Sequence, residues 1–372
     1  MRATGWASRV LLALLVLTGL LLARGFGEQT PVAHAATFTV NSPLDGPDVS
    51  PGNGVCQTST VGECTLRAAI QEANALGGTD TINIALLGGG LQAIVLSSGL
   101  PDISTPMTID GTTEGGWVSP IPLVVLRGTG PGSLPAGTDG MRVTAGGSGS
   151  TIKGLTFAYF PSDGIEISGA TGVTVDGNSL GGDPQDLSID TGQDENGVNI
   201  VGGSGNTIGA TIGNVISQNG NAGIRIDSSS GNLIRNNKIG TNFAGTVDRG
   251  NTDSGVFVLN SSSNTIGGTS AGQGNVISGN DYMGIQLDGP GTTANFVQGN
   301  LIGTNAADSA AVGNTFDGVF VTSASTANTI GGTVAGARNV ISGNVENGIE
   351  LACCGSNVVQ GNYIGTNTAG TA

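Results

Sequence analysis

One motif, Gly-[Ile/Val]-x-[Ile/Val/Leu], returns at Gly164, Gly197, Gly223, Gly255, Gly284, Gly318 and Gly348, with a weaker copy at Gly140. A second, Asn-x-[Ile/Val], follows each of the later copies, at Asn206, Asn232, Asn264, Asn295, Asn328 and Asn357. A third, Asn-x-[Ile/Leu], recurs at Asn178, Asn214, Asn237, Asn275, Asn300, Asn339 and Asn362. From first anchor to second the gap is 9 to 11 residues, whereas second to third alternates between 5 and 8 or 11. The return to the next glycine alternates in the opposite sense, 18 or 19 residues and then 9. Each anchor places two apolar residues at strand spacing with an outward residue between them. Three strands this short cannot bury a core alone. Stacked coils can, by lining the apolar residues into columns and running backbone ladders from coil to coil.

The pattern predicts an all-β fold, a single-stranded right-handed parallel β-helix with three strands per coil, regular from about residue 140 within a solenoid spanning 81–372. Composition agrees: 67 of 372 residues are glycine, too costly in backbone entropy for a helical bundle. Low charge and abundant Ile and Val argue against disorder. Leucine-rich repeats, propeller blades and calcium-binding nonapeptide rolls each need spacings that this chain lacks.

Arg2 and Arg9 precede an apolar run from Val10 to Ala23, and Ala33-His34-Ala35 offers a small-x-small cleavage site before Ala36. Residues 1–35 therefore read as a secretory signal peptide, and no later segment is apolar enough to span a bilayer. Cleavage would remove His34, the one histidine, and leave 9 basic against 26 acidic residues. Such a chain lacks imidazole chemistry and the clustered cations that nucleic acid demands. Expected localisation is secreted or cell surface. Cys56 and Cys64, with seven residues between them in a short polar loop, read as a disulfide in an oxidising compartment. Adjacent Cys353 and Cys354 read as free or strained. Thr65 is placed to N-cap a helix carrying Leu66, Ile70, Ala73 and Leu76, stopped by Gly77-Gly78, so residues 36–80 form an N-terminal cap over the first coil.

The stretch Thr37-Phe-Thr-Val-Asn41, Gly-Val-Cys56, then Cys64-Thr-Leu-Arg-Ala-Ala-Ile70 resembles the N-terminal CSLREA motif of exported bacterial right-handed β-helix proteins. Repeats such as Gly274-Asn-Val-Ile-Ser-Gly-Asn280 are similar to those of that family and its pectin-lyase-like superfamily. Ala68 stands where the family motif has Glu. The resemblance implies fold and export rather than a reaction.

Candidate chemistry is sparse. Arg225, Arg235 and Lys238 share one coil, but their strands point to different faces. The acidic run Asp183, Asp186, Asp190, Asp194 and Glu195 lies in one inserted loop without a calcium-loop spacing, so no metal set and no cofactor is assigned. No residue is assigned a catalytic role. The outward column of the first strand reads Glu166, Asn199, Arg225, Phe257, Gln286, Phe320 and Glu350, with the two Phe ~10 Å apart. Arg225, Phe257, Gln286 and Phe320 are accordingly the candidate ligand-binding residues, for a polysaccharide or another cell-surface component. The expectation is a non-catalytic adhesion, scaffold or glycan-binding protein, with a polysaccharide lyase or epimerase of the same fold, or a structural spacer, as alternatives. The chain ends inside a coil, which predicts a truncated frame or end-to-end association at an uncapped C-terminus.

Overall fold

A computed structural model describes residues 35–130, 132–182, 192–352 and 355–371. The proposed signal segment, the acidic positions Asp183, Asp186 and Asp190, and Cys353 and Cys354 lie outside the described residues. Three sheets, every ladder parallel, carry the chain in repeated circuits. Sheet 1, with eight strands from Met141–Thr144 to Ile349–Leu351, collects the glycine anchors. Sheet 2 has eleven strands from Thr37–Val40 to Val358–Gln360, and sheet 3 ten from Gln92–Val95 to Tyr363–Ile364. Consecutive coils pair without slippage. Ile224, for example, faces Val198 on one side and Val256 on the other.

The alternation in each strand decides what is buried. Ile165 and Ile167 are fully buried, as are Val198 and Ile200, Ile224 and Ile226, and Val256 and Val258. The residue between each pair stands outward and is half-buried. Aliphatic columns thus fill the interior with few aromatics; among the described residues only Phe157 and Phe160 are aromatic and fully enclosed.

The corners are held by asparagine. Asn264 Nδ2 donates to Asn295 Oδ1 at 3.0 Å, and Asn264 Oδ1 accepts from Asn232 Nδ2 at 2.9 Å, so one amide ladder runs along sheet 2. A matching ladder runs through Asn214, Asn237, Asn275 and Asn300. The structure adds a third, through Asn219, Asn251, Asn280, Asn314 and Asn344. Glycine follows where asparagine cannot. Gly267 has φ 90°, and a methyl there would overlap the Gln298 carbonyl oxygen of the next coil.

The first coil is closed by the helix Leu66–Leu76, whose N-cap Thr65 accepts from the Ala68 amide. Leu66, Ile70 and Ala73 are buried beneath it. Cys56 and Cys64 are bonded, tying the loop ahead of the helix to its N-terminus. Arg67, bidentate on Asp45, and Glu72, accepting from the amides of Gly52 and Gly54, fix the cap's polar side. No helix among the described residues is long and apolar enough to cross a membrane.

Candidate active site

Because Ile165 and Ile167 point inward, Glu166 must point out, and parallel register then stacks it between Arg142 and Asn199. The same row continues through Arg225, Phe257, Gln286, Phe320 and Glu350. At its N-terminal end two further carboxylates arrive from the turns, since Asp139 and Asp163 each immediately precede the glycine of a coil. One oxygen of each of Asp139, Asp163 and Glu166 lies within 4.8 Å of the others.

Each acid is held differently. Asp163 is 2 % exposed. Its Oδ1 accepts from Asn196 N and Nδ2 at 3.0 and 2.8 Å, and its Oδ2 from Asn199 Nδ2 at 2.8 Å. Asp139 Oδ1 accepts from the Asp163 amide at 3.1 Å. Glu166 Oε2 lies 3.2 Å from Arg142 Nε, and Arg142 also faces Asp102 at 3.9 Å. Burial, then the hydrogen bond shared with Glu166, push the Asp139 carboxyl up to about 6, against the opposing donors Ser162 and Asp163 N. Burial likewise raises Asp163, and burial followed by the charges of Asp163 and Asp139 raises Glu195. Burial and the neighbouring carboxyl both oppose ionisation of Asp139, which therefore keeps its proton to a higher pH than an ordinary aspartate.

That arrangement places a carboxyl with a raised pKa beside a second carboxyl group on the outer face of sheet 1, the equipment of general acid–base catalysis. The three carboxylates also form the one set among the described residues able to offer a hard cation several oxygens. Sequence reading assigned neither role. It placed Glu166 in the outward row but missed Asp139 and Asp163, although Asp139-Gly140 and Asp163-Gly164 repeat the same dipeptide at one point of the coil.

The remaining candidates fall along the row. Arg225 pairs with Asp227 at 2.8 Å and its guanidinium carbon lies 5.0 Å from the centre of the Phe257 ring. Gln286 accepts from Ser254 Oγ at 3.1 Å. Phe257 and Phe320 are half-buried on the outer face. Beside them Tyr282 and Phe316 meet edge to face at 4.9 Å, an aromatic pair the sequence did not single out. Arg235 and Lys238 do not join Arg225: Arg235 follows the sheet 2 strand Leu233–Ile234, and Lys238 opens the sheet 3 strand Lys238–Ile239. Two cavities of about 300 and 350 Å³, lined by Thr304 and Asp308 and by Asp248 and Arg249, lie away from the carboxylates.

Three parallel sheets wound from one chain, with an outer face carrying side chains at coil spacing, leave one architecture. The fold is a parallel β-helix. Among solved structures, the periplasmic alginate epimerase AlgG is similar at 14 % identity and TM-score 0.48, over 78 % of this chain and 69 % of that one. The A-module of Azotobacter vinelandii mannuronan C-5 epimerase AlgE6 is similar at 18 % identity and TM-score 0.46, over 80 % and 93 %. Pectate lyase Pel9A is similar at 15 % identity and TM-score 0.46, over 90 % and 81 %. No protein-family model matches the chain, and no curated protein does.

The expectation of a non-catalytic adhesion protein, scaffold or spacer is corrected here. It rested on outer-face charges being scattered, whereas Asp139, Asp163, Glu166 and Arg142 converge. The similar solved structures are two epimerases and a pectate lyase.

Proposed function

We propose that the chain is a polysaccharide-active enzyme whose acid–base centre is the Asp139–Glu166 pair. The observation carrying this reading is the convergence of Asp139, Asp163 and Glu166, one oxygen of each within 4.8 Å of the others, with Arg142 on Glu166. Asp139 supplies the proton to a departing glycosidic oxygen, and Glu166, oriented by Arg142, acts on the sugar or on water. Asp163 positions the pair through its amide contact to Asp139 and its own clamp by Asn196 and Asn199. The glycan runs from this centre along the row Arg225, Phe257, Gln286 and Phe320, ~24 Å from Glu166 to Phe320 at coil spacing. Phe257 and Phe320 stack on sugar rings, and Arg225 and Gln286 hydrogen-bond to hydroxyl groups.

Lyase or epimerase chemistry is the second reading, favoured by the three carboxylates with Arg142 beside them. Asp139, Asp163 and Glu166 would hold a divalent cation, which supplies neutralisation of a sugar carboxylate.

Incubation with neutral and uronate-containing polysaccharides separates the two, since hydrolysis yields reducing ends alone and elimination yields an unsaturated, ultraviolet-absorbing product. Activity should decline as pH rises through about 6. It should fall by about 10²-fold or more in Asp139→Asn and Glu166→Gln. Turnover unaffected by both substitutions would refute the assignment.

A further inference from the structure

Ala36 lies against a buried acid. Asp80 is fully buried at the start of its sheet 2 strand. Its Oδ1 accepts from the Ala36 backbone nitrogen at 2.7 Å, while Oδ2 is buried with no partner. Ala36 is held firmly in place: its side chain packs on the core, and its carbonyl accepts from Thr81 N at 2.8 Å. Ala35 just before it is exposed. A buried carboxylate with one amide donor and one orphaned oxygen is an expensive arrangement.

We propose that Ala35–Ala36 is a processing site and that the ammonium it releases at Ala36 docks on Asp80. The inference rests on the cleavage site read from Ala33-His34-Ala35. A protease of the signal-processing class adds water across the peptide bond. The carboxylate leaves on Ala35, and the nitrogen, protonated, stays at Ala36. That nitrogen keeps its place against Oδ1 and gains two further donors, enough to reach Oδ2. One amide hydrogen bond is thereby replaced by a charge-assisted pair, and processing locks the N-terminal cap.

Among the described residues no other charged group is paired with Asp80. On the elements packed against its strand, Arg67 is bidentate on Asp45 and Glu72 accepts the amides of Gly52 and Gly54. Asp110 pairs with Lys153 at 2.8 Å, and Glu114 accepts from Leu86 N. Burial raises the Asp80 carboxyl in the unprocessed chain, with the Ala36 amide opposing. An ammonium beside it reverses that balance and raises the amine's own pKa above the usual range for an α-amine. The stabilisation is thus complete between pH ~4 and ~8; it is lost as pH rises through the raised amine value and again as acid protonates Asp80.

The test is to export the full-length chain, sequence the secreted N-terminus, and follow acylation of the Ala36 α-amine by acetic anhydride near neutral pH, read by mass spectrometry. Secreted protein should begin at Ala36, and its α-amine should react about tenfold or more slowly than that of Asp80→Asn, one pKa unit of protection. Should Asp80→Asn not fold, a chain carrying one added glycine before Ala36 serves instead: its displaced amine should react at the free rate. A start other than Ala36, or equal rates in the processed chain and its comparison variant, would overturn the proposal.

Discussion

Asp139 is half-buried and Asp176 buried, and their surroundings drive the two carboxylates in opposite directions. Asp139 is raised to about 6 by burial and by Glu166. For Asp176 burial is outweighed by the amides of Ala210, Gly213, Thr211 and Ile212, which together hold it below the usual range. A raised carboxyl contributes stability below its unfolded value and loses it as pH rises through the folded one. Asp139→Asn should therefore gain about 1–2 kcal/mol over wild type above pH 6 while losing activity, and melting curves at pH 4 and 7.5 check both signs. A depressed carboxyl does the reverse. Asp176→Asn should cost about 1–3 kcal/mol at pH 7, with the gap to wild type closing as pH falls below 4 in the same measurement. At this scale the sequence was half legible. Glu166 falls in the outward row by strand parity, but its meeting with Asp139 and Asp163 depends on the irregular coils before residue 164, where anchors two and three are not conspicuous.

The elements were more legible, because parity and turn chemistry act locally. The helix Leu66–Leu76 has the N-cap and glycine stop that the sequence announces. Which residues of each anchor point inward, the Ile and Val pair, and which outward, the residue between them, could be read from alternation alone. What escaped was the ladder through Asn219, Asn251, Asn280, Asn314 and Asn344, hidden in corners of variable length, although each of these residues stands four positions before an anchor glycine. In the preceding coil Gln193 takes that place and reaches Phe157 O at 2.7 Å. The ladders are predicted to matter most where both neighbours are buried. Asn264→Ala leaves the Asn232 amide, the Ser229 carbonyl and Asn295 short of partners, and should cost about 3 kcal/mol or more. Asn357→Ala, half-buried in the last described coil, should cost less than half as much in parallel denaturation experiments.

At the scale of the whole molecule, stacking converts a local repeat into a ruler. Each coil adds one outward residue at ~4.8 Å, so a row that begins in acids and runs into aromatics is continuous only because register never slips. The sequence predicted this ruler and misjudged its use, reading charges coil by coil without the turn residues that complete the acidic end. If the row carries a glycan, Phe257→Ala with Phe320→Ala should raise KM about tenfold and leave the melting temperature within a degree or two, since both rings stand outside the core. The decisive measurement is a crystal structure of Glu166→Gln with an oligosaccharide drawn from whichever polymer the wild-type chain turns over. The sugar should lie along the outer face of sheet 1, its reacting linkage over Asp139 and its rings on Phe257 and Phe320. An oligosaccharide seated on sheet 2 or sheet 3, with Asp139 and Glu166 untouched, would contradict the account.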